Sequence, residues 1–77
     1  MNSIIKNKYG EEMEEVQLKD VPKGEYIRRS PDTSKTYVKG EYVRDEGLNK
    51  YECTNFMDTS NAMYLKGTTK VYTGFTF

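Results

Sequence analysis

The chain has no histidine and one cysteine, Cys53, among its 77 residues, and these scarcities remove much of the usual chemistry of small proteins. Without histidine, zinc has too few of its ordinary ligands, and a serine or threonine nucleophile lacks its ordinary base. A single cysteine forms no internal disulfide, which suits a reducing compartment, and a cytoplasmic protein is expected. No apolar run is long enough to cross a bilayer, and the first residues lack the apolar segment of a signal peptide. Glycines 10, 24, 40, 47, 67 and 74 never take the spacing of a phosphate loop or a dinucleotide fingerprint. The expectation is a protein without catalytic residues, cofactor or metal.

Charge is equally uninformative about partners. Twelve basic residues balance twelve acidic ones, which favours neither a polyanion mimic nor a strongly basic nucleic-acid surface. The run Glu11-Glu-Met-Glu-Glu15 reads as a solvated charge cluster, since a hard-metal site needs ligands converging from a fixed loop. Cys53 falls inside an apparent strand, where a cysteine behaves as a small core hydrophobe.

What the chain does have is rings. Only 35% of it is hydrophobic, yet seven tyrosines and three phenylalanines bring the aromatic share to 13%, and rings supply much of the buried area of a small core. A domain of this length hides about 60% of the surface that its unfolded chain exposes, so each large apolar side chain counts.

The densest β-branched and aromatic stretch is the last, Thr69-Lys-Val-Tyr-Thr-Gly-Phe-Thr-Phe77. Its alternation puts Val71, Thr73, Phe75 and Phe77 on one face and Tyr72, Gly74 and Thr76 on the other, the period of a strand. Upstream, residues 25–29 read as a strand and 30–34 as a polar turn. Residues 36–43 and 50–56 read as a hairpin around the turn Arg44-Asp-Glu-Gly-Leu-Asn49. Gly40 inside the first arm marks a bulge or bend. Residues 57–62 form a loop, 63–65 a short strand and 66–68 a tight turn. Residues 16–21 read as a short strand or a lead-in.

Turn signals arriving about every eight to twelve residues predict a mostly β fold. We expect a small antiparallel five- or six-stranded barrel, SH3-like or partly open, spanning residues 16–77. After Met1, residues 1–15 have large apolar groups only at Ile4, Ile5, Tyr9 and Met13, with Gly10 between them, and admit either a short helix or a disordered tail. The expected core is Val21, Ile27, Val38, Tyr42, Cys53, Phe56, Leu65, Val71 and Phe75. The opposite face then carries Tyr26, Arg28, Tyr37, Lys39, Glu52 and Tyr72, and a one-residue slip would exchange the two faces.

Basic and aromatic residues interleave on that outer face and at the strand ends: Tyr26, Arg28, Arg29, Tyr37, Lys39, Arg44, Lys50 and Tyr72. Tyrosine and arginine are favoured in protein interfaces, and rings beside cations also hold single-stranded nucleic acid. A third reading is that the tyrosines simply wrap a small sheet. Open barrel edges would also allow pairing into a homo-oligomer.

Four motifs in order, Val21-Pro-Lys-Gly-Glu-Tyr-Ile-Arg-Arg29, Thr36-Tyr-Val-Lys-Gly-Glu-Tyr42, Tyr51-Glu-Cys-Thr54 and Lys70-Val-Tyr-Thr-Gly-Phe-Thr-Phe77, resemble a group of very small accessory proteins of tailed bacteriophages that end on a similar aromatic strand. The resemblance covers about residues 16–77 and carries no catalytic or ligand-binding residue across. It implies a setting, the bacterial host cytoplasm, and a partner, a host protein such as a defence component that is bound and modulated or blocked. Partner-binding residues on this expectation are Tyr26, Arg28, Arg29, Tyr37, Lys39, Arg44 and Tyr72. The alternatives are a single-strand nucleic-acid binder and a homo-oligomeric structural protein.

Overall fold

A computed structural model describes residues 3–44, 47 and 49–75 of the chain. The described residues form seven strands: β1 (Ser3–Lys6), β2 (Glu12–Gln17), β3 (Tyr26–Ile27), β4 (Tyr37–Val43), β5 (Lys50–Asn55), β6 (Ala62–Leu65) and β7 (Lys70–Thr73). A 3-10 turn, Leu18–Asp20, follows β2. All pairing is antiparallel, in one sheet of order β1-β2-β7 and another of order β3-β4-β5-β6. The expected mostly β, partly open architecture is thus present, one of the two sheets being a curled half-barrel. The placement expected for Phe77 lies outside the described residues.

Neither a helix nor a tail forms over residues 3–15, which make a β-hairpin instead. Its turn is set by Asn7, whose Oδ1 accepts the N–H groups of Tyr9 at 3.0 Å and Glu11 at 2.9 Å. This local side-chain bonding is the reason asparagine favours turns. Gly10 supplies the left-handed residue at φ 81°. The acidic run then becomes strand because β2 gains a partner on each side, β1 and β7, with Val16 opposite Val71. Met13 and Val16, an odd number of residues apart, are both buried, so β2 is covered on both faces. That supplies the apolar contact that residues 1–15 lack when read alone.

The two sheets join at β7. Arg28 and Tyr72 exchange backbone hydrogen bonds of 2.9 and 2.8 Å. The 3-10 turn is tied to the chain before β7 by Leu18 N–H to Thr69 O and Lys19 N–H to Gly67 O, both 2.9 Å. Between the sheets lies a core of Val16, Leu18, Val21, Ile27, Cys53 and Val71, with Tyr37, Tyr51, Met63 and Leu65 packed against it. Extents of 41 × 30 × 16 Å make the molecule thin, and a slab this thin can bury few side chains on all sides.

Four expected core residues, Val21, Ile27, Cys53 and Val71, are buried, and Leu65 packs on them. Tyr42 and Phe56 are exposed instead, and Val38 and Phe75 are only half-buried. The face assignment of β4 is therefore corrected: Tyr37 and Lys39 point inward, and Val38 points out. Pairing shows this directly, since Lys39 stands opposite Cys53 and Val38 opposite Thr54. Gly40 forms the expected bulge, where the register shifts between Lys39 and Tyr42. The extra residue puts Tyr42 opposite Tyr51, on the side that Lys39 also takes.

Candidate functional site

The partner-binding residues expected from sequence do not share a surface. Arg28 is 8% exposed and Lys39 5% exposed, so both are interior groups. Tyr37 packs on the core from the inner face of β4. Tyr72 is half-buried on β7, and its hydroxyl donates to Glu15 Oε2 at 3.0 Å. Arg29 is exposed and directed toward β6, its Nη1 standing 4.0 Å from Met63 Sδ. Arg44 is exposed at the end of β4, its guanidinium 5.6 Å from the Tyr42 ring centroid. Tyr26 alone lies on the outer face of the larger sheet.

Arg28 is buried because it has partners at its inner position. Its Nε donates to Thr36 Oγ1 at 3.1 Å, Nη1 lies 3.8 Å from Glu11 Oε1, and the guanidinium rests 4.0 Å from the centroid of Phe75. The planar cation thereby connects the first hairpin, the 30–36 segment and the chain after β7. Glu11 Oε1 also accepts Asn7 Nδ2 at 2.8 Å, and that amide reaches Pro31 O at 3.0 Å. These bonds join the N-terminal hairpin to the rest of the fold.

Lys39 donates from Nζ to Val21 O and sits 4.2 Å from the Tyr51 ring centroid. Burial lowers the pKa of its ammonium, while the carbonyl and the ring face stabilise the cation. Across the pair, burial pushes the Cys53 thiol up from 9.0 to about 11. A thiol whose folded pKa exceeds its unfolded one contributes stability that is complete below pH 9.0 and is lost as pH rises toward about 11. Lys39 acts in the opposite sense over the alkaline range below its ordinary value, because its unfolded form binds the proton more tightly.

This environment makes Cys53 a structural thiol, and its reactivity checks that. At pH 8 a thiol-exchange reagent is expected to modify the native chain about a thousandfold more slowly than the urea-unfolded chain, because reaction waits for opening. Equal rates in the two states would show an accessible thiolate. Among the described residues no cluster of three or more histidine, cysteine or acidic groups is placed to hold a metal.

The exposed apolar groups lie elsewhere. The register aligns Tyr26, Val38, Thr54 and Ala62 across β3, β4, β5 and β6, so they stand on one face of the larger sheet, away from the core. Phe56 joins them, its ring edge-on to Tyr26 with centroids 5.4 Å apart, and it is 40% exposed. Met57, next in the chain, is 85% exposed. The neighbouring pair Glu52 and Tyr64 is linked by a hydroxyl-to-carboxylate bond of 3.1 Å, which raises the phenol pKa. Sequence alone places Phe56 in the core and Met57 in a loop, and the structure exposes both side chains. The sequence signal that could have found them is the Phe56-Met57 dipeptide at the start of an otherwise polar loop.

Thus the geometry offers one outer sheet face carrying Tyr26, Phe56 and Tyr64, with the exposed Met57 next to Phe56 in the chain, and an inner set, Arg28, Lys39 and Cys53, enclosed by the fold. Compared with known proteins, the chain matches no family model, no curated protein and no solved structure.

Proposed function

We propose that this chain is a non-enzymatic interaction protein that docks a protein partner on the outer face of its larger sheet. The observation carrying this reading is the exposure of four large side chains, Tyr26, Phe56, Met57 and Tyr64, on and beside one face of a molecule that has few apolar groups to spare. Rings and methionine are enriched at the centres of protein interfaces, and Tyr26 and Phe56 offer rigid area that loses little rotamer freedom on binding. Glu52, which accepts the Tyr64 hydroxyl, and Asp58, which follows Met57 in the chain, supply charge beside these side chains, as at an interface rim. The resemblance to small phage accessory proteins supports a host protein as partner, such as a defence component, in the bacterial cytoplasm; that step is analogy.

The test is capture from bacterial lysate by the full chain against a Phe56→Ser, Met57→Asp double variant, with Tyr9→Ala as a control away from the face. A specific host protein should be retained by the native chain and by the control, and lost by the double variant while the variant's melting curve keeps its cooperativity. Capture unchanged in the double variant would remove this face from the function. Light scattering on the same samples tests self-association instead, since β1 and β6 end their sheets and strand edges pair readily. A dimer mass lost in the double variant would assign the face to a second copy.

A further inference from the structure

A recess of about 620 Å³ opens between the 3-10 turn, the facing ends of β4 and β5 with Gly47 and Asn49 of the turn between them, and the β6–β7 turn. Its walls include Lys19, Lys50 and Lys66 together with Tyr42 and Tyr51. Gly67 forms the closest of these contacts. A Cβ at this glycine would stand 3.1 Å from Lys19 Cβ and 3.2 Å from Tyr51 Cε2, and the Gly67 carbonyl accepts the Lys19 N–H at 2.9 Å. The turn packs closely on the lysine and the ring, and a side chain at position 67 would require one of them to shift by a few tenths of an ångström.

The chemistry of the walls is uneven in a useful way. The described lining residues include three lysines, and Arg44 places a guanidinium 5.6 Å from the Tyr42 ring centroid. The Tyr42 and Tyr51 rings lie 4.7 Å apart at 56°. Tyr51 is already engaged by the Lys39 ammonium, whereas Tyr42 remains exposed. The β4 bulge puts Tyr42 opposite Tyr51, on the side that Lys39 also takes, where its ring lines the recess. An exposed ring beside several cations, in a cavity within the roughly 300–1,000 Å³ range of small-molecule sites, suits a ligand with one flat aromatic part and one anionic part.

We propose that this recess binds a free mononucleotide, its base stacked on Tyr42 and its phosphate held by Lys19, Lys50 and Lys66. Base–ring stacking and charge-assisted bonds to phosphate oxygens are the two contributions such a ligand needs. A single recess, in a chain whose formal charge is zero, matches one small anion better than it matches a strand, which needs a basic track along the surface. This site is separate from the outer face of the larger sheet and does not depend on the function assigned there.

Calorimetric titration of the full chain with AMP, adenosine and inorganic phosphate tests the site. AMP should bind saturably, with adenosine and phosphate each weaker by about tenfold or more. The Lys19→Gln, Lys66→Gln double variant should weaken AMP by about tenfold. Tyr42→Ala should weaken AMP and leave inorganic phosphate unchanged. All three positions are exposed, so unchanged melting curves are expected. In an NMR titration of the native chain, the Gly67 and Thr68 amides should shift with AMP whatever the variants do. No saturable AMP binding, or binding indifferent to both variants, would overturn the proposal. An oligothymidylate binding more tightly than AMP would overturn it in favour of a single-strand surface.

Discussion

Removing residues 70–77 is expected to abolish the cooperative unfolding of the domain. β7 is the strand on which the two sheets meet: it pairs with β2 from Glu14↔Thr73 to Gln17↔Lys70, and Tyr72 exchanges both bridge hydrogen bonds with Arg28. Val71, fully buried, stands opposite Val16 and packs in the core between the sheets. Losing Val71 alone withdraws about 2 kcal/mol of burial. Each buried backbone group of β2 and Arg28 left without its partner costs about 1–3 kcal/mol more. Small domains hold only about 5 kcal/mol or somewhat more in total. The truncated chain should therefore show a disordered circular dichroism spectrum and no thermal transition. A retained β spectrum with a cooperative melt would mean that the sheets are held together elsewhere.

The second large effect is expected at Gly40. A Cβ there would lie 2.8 Å from the backbone oxygen of Glu52 on the paired strand, closer than such atoms come, and a carbonyl within a sheet ladder has little freedom to move. Gly40→Val should cost about 3 kcal/mol or more in urea unfolding, because relief requires the bulge to open and the register of β4 against β5 to change. The neighbouring Glu41→Ala, which loses only an exposed ion pair with Lys23, should change stability by less than about 1 kcal/mol. If the two variants were equally stable, the close approach at Gly40 would not be a constraint on the fold. A change of register there would also move Tyr42 away from Tyr51, so a folded Gly40 variant should lose the mononucleotide recess as well.

Particular residues show which parts of this fold were legible in advance. The hairpin expected over 36–43 and 50–56 is close to β4 (Tyr37–Val43) and β5 (Lys50–Asn55), because turn residues and β-branched or aromatic runs act over a few neighbours. The bulge at Gly40 was legible for the same reason. Its consequence was not. One inserted residue breaks the alternation, so that Lys39 and Tyr42 share one side of β4: Tyr37 and Lys39, expected outside, take the inner side, while Tyr42, expected in the core, stays exposed and lines a recess. Arg28 is different: a guanidinium reads as a surface group until Thr36, eight residues on, and Glu11 and Phe75, from near the two ends of the chain, are brought around it.

The N-terminal segment makes the same point from the other direction. Residues 3–15 contain too little apolar surface to order themselves, and their acidic run suggests solvent. They form strands because β7, more than fifty residues later, offers β2 an edge and places Val71 against Val16.

By itself the sequence determined the class of fold, the positions of most turns and the residue types missing for the commonest catalytic and metal chemistries. These follow from local backbone preferences and from composition, which need no partner. The tertiary structure alone decided which cations are buried, which rings remain exposed and that the first hairpin belongs to the domain. Those outcomes depend on strand register and on pairings between residues far apart in the chain, where a single bulge or one shared edge reverses what local alternation predicts.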